Sequence, residues 1–343
     1  MSGTDERTAV QPDRMRLAGY LWGFFPAQVI RTLVALDVPD RLAAAPCGAG
    51  ELAAAVDADP DALARLLRAA AGLGLLDRDA AGSWSLTATG ELLRTGVPGA
   101  MGQLSRLFCD DACWRSWGQL EWSVRTGEVA FEKVTGHSAF EYMAGEAQLA
   151  GIFTAAMAEG TRAAGPGVVE VCDLAGVDTL VDVGGGNGTL LRYFLDRHPG
   201  LRGILFDTPV GIGTEQVVDP ARAEVVTGDM FVAVPRADAY VVKSVVHDWD
   251  DERAVALLTR IREAMPAHGR VFVVEPVLSD DVAGLAGQYT TLMSDLNMLV
   301  CAGGRERTLA EFGAVLDAAG LRLTDTIRVP PPTGFSVLRA VKA

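Results

Sequence analysis

His247 stands in the stretch VVKSVVHDWDDE, where small and branched apolar residues give way to a histidine, an acid, an indole and two more acids. An imidazole titrates near neutrality, so it can take a proton from a hydroxyl and later release it. Upstream, VDVGGGNGTLLRYFLDR joins a strand-like run to a helical one through glycines at 184, 185, 186 and 188. Missing side chains let a ligand approach the backbone there, and the helix that follows offers unpaired N–H groups. The spacing is not the dinucleotide fingerprint GxGxxG: counted from Gly184, its last glycine falls on Thr189. What the chain carries is Asp182-x-Gly184-x-Gly186-x-Gly188. Two later apolar runs end in acids, Asp207 in GILFD and Asp229 in VTGDMF. A lone Asp at a strand end is usually a cap or turn residue. Three in register on successive strands of one sheet make a polar ligand site.

These residues need a frame. TLVDVGGG, LRGILFD, AEVVTGD, DAYVVKSVV and GRVFVVEPV are short Val/Ile/Leu runs separated by helical segments, the pattern of a parallel sheet covered on both faces in an α/β domain. Such sheets bind ligands at the carboxyl ends of their strands, where the glycine loop, Asp207, Asp229 and His247 all fall. LRLTDTIRVPPPTGFSVLRAVKA reads as two strands joined by a Pro-Gly turn, an antiparallel hairpin at one side of the sheet. The doubly wound domain is expected over 166–343. Residues 106–165 read as a helical segment rich in aromatics, among them Trp114, Trp117, Phe140 and Phe153. Residues 1–105 read as small helices and one hairpin, a winged helix. Asp59 and Pro60 start a helix whose face is Leu63, Leu66, Leu67 and Ala70, a turn falls at Ala81-Gly82, and Thr87 or Thr89 begins another helix.

Composition narrows the function. The chain has 343 residues, 49% of them hydrophobic, and a net charge of −14. That charge opposes attraction to nucleic acids and anionic membranes. A winged helix invites a DNA-binding reading, but between Leu36 and Arg94 nine acids face five arginines. Phosphate binding needs the opposite balance. A dimerising role suits the apolar stretch GYLWGFFPAQVIRTLVAL better, as a helical surface in want of a partner. No signal peptide or spanning run is visible, and the five cysteines lack a CxxC, so reduced thiols in a cytoplasmic protein are expected. Cys109 and Cys113 are spaced to share a helix face. His137, His198 and His268 lie in polar turn contexts and are expected to be exposed. No metal site is predicted.

The DxGxGxG loop resembles that of S-adenosylmethionine-dependent methyltransferases. With VDVGGGNG, FDTP, GDMF, HDWDDE, VVEPVL and GGRERT in order, nearly the whole chain resembles the small-molecule O-methyltransferases that include plant caffeate and flavonoid enzymes and bacterial natural-product enzymes. The resemblance implies a class I methyltransferase Rossmann-like sheet behind a winged-helix dimerisation domain, a homodimer, and S-adenosyl-L-methionine as cofactor. Asp182, Gly184, Gly186 and Gly228 would line the cofactor, Asp207 would take its ribose hydroxyls, and Asp229, Met230, Phe231, Lys243 and Trp249 its adenine. His247 would be the general base, with Glu275 and Glu306 as its flanking glutamates. Trp114, Phe153, Met157, Asp248, Asn297 and Met298 would border the acceptor, with Trp117 helping to close the site and Thr161 near the methionine end of the cofactor.

The residue types suit that chemistry by themselves. A phenol has a pKa of about 10, so roughly one molecule in a thousand is phenolate at neutral pH, and a positioned imidazole removes that limit. Glutamates beside it hold the tautomer and stabilise the imidazolium. Two other readings keep part of the pattern: the same fold and cofactor turned to hydroxylation or ring formation, and a winged-helix DNA-binding regulator. Retention of His247 with both glutamates opposes the first, and the acidic balance opposes the second.

Overall fold

The computed structural model describes residues 5–331 and 333–343. Residues 1–4 and Pro332, in the turn expected near the C-terminus, lie outside the described residues. The chain forms two compact units that meet at Cys109/Asp110.

The first unit is helical apart from one hairpin, β1 (Leu76–Arg78) with β2 (Trp84–Leu86). Asp59 caps the helix Pro60–Gly72, its Oδ1 accepting the Ala62 N–H at 2.8 Å. Leu63, Leu67 and Ala70 of that helix are buried with Leu33, Val38, Leu42, Leu52 and Trp84 in one core. Thr87 caps the short helix Ala88–Glu91. The expected continuous apolar helix before this core is interrupted: Asp5–Leu21 and Phe24–Ala35 are separate helices broken at Trp22-Gly23. The two halves also differ in environment. Leu33 and Val34 enter the core, whereas Leu17, Tyr20, Leu21, Trp22, Phe24 and Phe25 are each at least half exposed.

The second unit begins with the helices Asp111–Trp117, Leu120–Thr126, Ala130–Thr135, Ala139–Gly145 and Ala147–Val171. Strands follow: β3 (Thr179–Val183), β4 (Arg202–Asp207), β5 (Ala223–Thr227), β6 (Ala239–Lys243), β7 (Arg270–Leu278), the short β8 (Arg307–Thr308), β9 (Leu321–Arg328) and β10 (Phe335–Lys342). The sheet order is β5-β4-β3-β6-β7-β10-β9, with β8 beside the end of β7. The first five strands run parallel and the last two add the antiparallel hairpin. Apolar clusters cover both faces, which is why the parallel strands read as unbroken hydrophobic runs.

Two expected boundaries move. The division at 105/106 falls inside the helix Gly102–Phe108 and shifts to 109/110. The division at 165/166 falls inside the 25-residue helix Ala147–Val171, which carries Pro166 internally. Gly165-Pro166-Gly167 is a packing seam. A Cβ on Gly165 would lie 2.6 Å from the Tyr193 ring, and one on Gly167 would lie 2.9 Å from Val329. Proline gives up one helical hydrogen bond there. The close approach against the sheet's helices keeps the rod intact.

Strand order reverses direction at β3, with β4 on one side and β6 on the other. That switch point is where an open α/β sheet leaves a crevice for a ligand, and the chain puts the glycine loop on one lip and the His247 turn on the other.

Candidate active site

The glycine loop leaves β3 with Gly184, Gly186 and Gly188 all at positive φ. Their reasons differ. A Cβ on Gly184 would strike Val245 and one on Gly188 would strike Val218, so those two serve packing. Gly186 faces open space, and its N–H donates to Asp207 Oδ2 at 2.9 Å. Asp182 is buried in β3 with Oδ2 unpartnered. Burial, aided by nearby Asp207 and opposed by Lys243, pushes Asp182 up to about 7. Burial also raises Asp207, against the Gly186 and Thr208 N–H groups that favour its carboxylate.

Other predicted cofactor residues have local tasks. Gly228 makes room for the Phe206 ring. Asp229 is exposed and accepts the Phe231 N–H at 2.8 Å, closing its own turn. Phe231 meets Trp249 edge-on at 4.8 Å, and Arg253 lies over both rings. The other partner of Trp249 is Phe140, stacked at 5.5 Å. Lys243 bonds the Ser244 hydroxyl and lies over Phe335. Burial lowers its pKa, while Glu275 and Asp182 oppose the shift.

His247 does not cap β6. The strand ends at Lys243, Ser244 adopts φ 54, and His247 sits in the 3-10 turn Val246–Asp248. Glu275, fully buried within the adjacent β7, holds this turn. Its Oε1 accepts the Val245 and Val246 N–H groups at 3.0 and 2.9 Å, with the His247 N–H at 3.4 Å. Its Oε2 stands 3.8 Å from His247 Nδ1. Glu306 Oε1 bonds that nitrogen at 2.9 Å and also accepts the Ser294 hydroxyl. Ligand atoms of His247, Glu275 and Glu306 all lie within 4.8 Å of one another. A carboxylate on Nδ1 keeps the proton there and leaves Nε2 as the lone-pair nitrogen. Nε2 is 3.6 Å from Asp248 Oδ1, beyond hydrogen-bond range. Burial by itself would lower the His247 pKa, but Glu275, Asp248 and Glu306 together raise it to about 10. Burial pushes Asp248 up to about 7, against the pull of His247.

Among the expected acceptor residues, Met298 is buried in the π-helical turn Met298–Ala302, which packs against the His247 turn. Asn297 immediately precedes it and bonds Trp117. Phe153 meets Phe140 edge-on at 6.3 Å. Trp114 and Met157 are half-buried in their helices, and the Thr161 hydroxyl is turned back to the Met157 carbonyl. His137 and His268 are exposed, but His198 is half-buried. Cys109 and Cys113 share no helix, since Asp110 begins a new one; Cys113 instead lies 4.0 Å from Cys301.

Sequence reasoning missed the residues that hold the turn from behind. Arg307 is fully buried. Its Nε and Nη2 reach Asp251 Oδ1, its Nη1 the Val246 carbonyl and its Nη2 the Trp249 carbonyl. Gly304 passes so close to His247 and Asp248 that a Cβ would overlap their backbone, and the Arg305 N–H caps the His247 carbonyl at 2.9 Å. Both lie in the quoted GGRERT, where a glycine pair and a second arginine around one glutamate were the available clue.

A family model described as an O-methyltransferase domain matches residues 117–322, and one described as an O-methyltransferase dimerisation domain matches residues 18–96. O-demethylpuromycin-O-methyltransferase of Streptomyces alboniger is 40% identical, over 95% of this chain and 88% of that protein. Human N-acetylserotonin methyltransferase, solved with SAM, superimposes with a TM-score of 0.88 at 27% identity, covering 100% of this chain and 99% of that one. NcsB1, an O-methyltransferase from neocarzinostatin biosynthesis, was solved with S-adenosylmethionine and 2-hydroxy-5-methyl naphthoic acid. It gives a TM-score of 0.75 at 32% identity, over 93% of this chain and 96% of that one.

The Arg307 clamp makes a specific demand. Arg307→Met should leave the Val246 and Trp249 carbonyls short of a donor, at about 1–3 kcal/mol for each buried acceptor. Methyl transfer should fall by about 10²-fold as the turn drifts by an ångström or so. Melting temperature and turnover, measured together, check this; a variant unchanged in both would show that the turn stands without the clamp.

Proposed function

The chain belongs to the S-adenosylmethionine-dependent O-methyltransferases, and we propose that it methylates a phenolic or enolic hydroxyl of an aromatic secondary metabolite with His247 as general base. One observation carries the proposal. His247 Nδ1 is held by Glu306 at 2.9 Å with Glu275 behind it, leaving Nε2 free at the sheet edge that also bears the glycine loop. The relative solved with a hydroxynaphthoic acid supports an aromatic hydroxyl as acceptor.

The cofactor fits the residues present. Gly186 leaves space where a side chain would stand, and Asp182 Oδ2 is a buried acceptor without a donor. The loop from Asp182 to Gly188, Asp207 and the stretch Gly228–Phe231 would hold it, with Lys243 and Trp249 across the crevice. When bound, S-adenosylmethionine supplies an electrophilic methyl group on a sulfonium.

The protein's own part is to make and orient the nucleophile. Burial disfavours a charged ring, but Glu275, Asp248 and Glu306 raise the His247 pKa to about 10, so a proton taken from the acceptor at Nε2 is held there. A phenol titrates at about the same value, so once the pair has lost one proton the other passes between them at little cost. The imidazolium that results pairs with the phenolate, and Glu306 and Glu275 stabilise it. Trp114, Phe153, Met157, Asp248, Asn297 and Met298 would wall the acceptor. Retention of the whole His–Glu–Glu set favours methyl transfer over a hydroxylating or cyclising variant of the fold.

The exposed apolar surface from Leu17 to Phe25 supports a homodimer, and an odd number of cysteines without a CxxC suits a reducing cytoplasm. No described helix is long and apolar enough to cross a membrane.

Three outcomes follow from this reading. Asp207→Ala should weaken S-adenosylmethionine binding while leaving the melting temperature near that of the parent; an unchanged calorimetric affinity would displace the cofactor from this crevice. Sedimentation at micromolar concentration should give twice the 36.2 kDa chain mass, and a monomer mass would remove the dimer. His247→Ala should bind cofactor yet transfer methyl about 10²–10⁴-fold more slowly near neutral pH. Because the lost group helps strip the acceptor of its proton, that deficit should shrink as pH climbs to the acceptor's own pKa. A folded variant whose deficit is the same at every pH would exclude the base role.

A further inference from the structure

We propose that Cys113 and Cys301 form an oxidative modification site, where a peroxide joins the two thiols in a disulfide. The bond would tie the helix Asp111–Trp117 to the π-helical turn Met298–Ala302 and slow methyl transfer by displacing the adjoining turn that carries His247. Neither thiol takes part in the reaction assigned above.

The two sulfurs are 188 residues apart in the chain and 4.0 Å apart in space, and both residues are half-buried. A second contact keeps them opposed. Trp117 stands one helical turn after Cys113 and donates to Asn297 Oδ1 at 3.0 Å, and Asn297 stands four residues before Cys301. The two segments therefore run past each other in opposite directions, and the Trp117–Asn297 bond sets the register that brings sulfur to sulfur. Cys301 Sγ also lies 3.6 Å from Asn297 Oδ1, so the second thiol is braced from within its own segment. Sulfurs in a disulfide are about 2.05 Å apart, so the segments must close by about 2 Å at this point.

Hydrogen peroxide is the oxidant that balances the step. The Cys113 thiolate attacks one peroxide oxygen, the O–O bond breaks, and the departing hydroxide takes up the thiol proton as water, leaving a sulfenic acid. The Cys301 sulfur then attacks the Cys113 sulfur. The S–S bond forms, the S–O bond breaks, and the hydroxyl leaves with the Cys301 proton as a second water. The thiol pair has lost two electrons and two protons, and the peroxide has become water. A Cys301 S–H turned to Cys113 favours the thiolate that attacks first, against burial and Asp110. Burial instead raises Cys47 and Cys172. The π-helical turn that carries Cys301 packs on both the helix of Cys113 and the His247 turn. Drawing it toward the helix therefore moves a support of the His247 turn, and a misplacement of about 1 Å is enough to slow a reaction substantially.

The test treats wild type, Cys113→Ser and Cys301→Ser with hydrogen peroxide and follows intact mass, peptide maps and methyl transfer to a hydroxynaphthoic acid. Wild type should lose the mass of two hydrogens, and its peptides bearing Cys113 and Cys301 should run as one species until a reductant parts them. Turnover should fall about tenfold or more as that bond forms and return with dithiothreitol. Both serine variants should start at wild-type turnover and keep it through the same treatment; oxidation of methionines would strike all three proteins alike. Melting temperatures report that each form is folded. Peroxide that yields no joined peptide in wild type, or that slows the serine variants equally, would overturn the site. A joined form with unchanged turnover would overturn its coupling to the His247 turn. The bond is read by mass, so an acceptor that no form methylates counts against the aromatic-hydroxyl reading, while the joined peptide still decides the thiol pair.

Discussion

A guanidinium with no exposed surface is the constraint around which the catalytic half is arranged. Arg307 cannot shed its charge and is costly to bury unless every direction of its fork meets an acceptor. Here the acceptors are one carboxylate, Asp251 at the start of the helix Asp251–Ala264, two carbonyls of the segment carrying His247, and the Arg305 carbonyl. The cation therefore ties β8, the catalytic turn and the next helix into one body. Its neighbour Glu306 inherits that placement, so the carboxylate aligning the imidazole and the cation fixing the imidazole's backbone are adjacent residues. Gly304 completes the arrangement, because any side chain there would push the two segments apart.

Acid dominates the surroundings of the ring itself. Asp248, Glu275 and Glu306 surround one imidazole, and burial raises the pKa of Asp248 and of Glu275. The backbone limits this: Glu275 Oε1 is occupied by N–H groups of the turn, which favour its anionic form, while Oε2 is turned to the ring. One carboxylate thus shapes the turn and tunes the imidazole. Lys243 and Asp182 carry charge interactions onward to the glycine loop, since Lys243 responds to both Glu275 and Asp182. The base and the loop are electrostatically one site although they belong to different strands.

Much of this was legible in the residues and some was not, for physical reasons. The strands, the glycine loop and the C-terminal hairpin announce themselves because parallel strands are apolar throughout and tight turns need glycine. His247 was recognisable as a type, but its position was misread: a β-pattern continues through Val245 and Val246, whereas Ser244 at positive φ has already turned the chain. Gly165-Pro166-Gly167 reads as a break and is a packing seam, because sequence does not reveal the Tyr193 ring that needs the space. Asp207 and Asp229 looked alike, yet one is built into the loop by the Gly186 N–H and the other is exposed and closes its own turn. Arg307 was hidden by ordinary expectation, since an arginine between a glutamate and a threonine usually faces water.

The wall facing the base is built by a different logic. Behind His247, backbone carbonyls and N–H groups of the turn meet the fixed charges of Arg307 and Glu275, so little can change without moving the turn. In front, the walls come from the helices between Asp111 and Val171 and from the π-helical turn, where single side chains meet across long sequence separations, as Trp117 meets Asn297 and Cys113 meets Cys301. A π-helical turn inserts a residue into the helical register, which lets Asn297 and Met298 take positions that a regular helix would not give both. Such contacts can be exchanged pair by pair while Arg307, Glu306 and Glu275 keep the imidazole aimed. A rigid back thus permits a variable front, and the imidazole can stay fixed while the side chains facing it change.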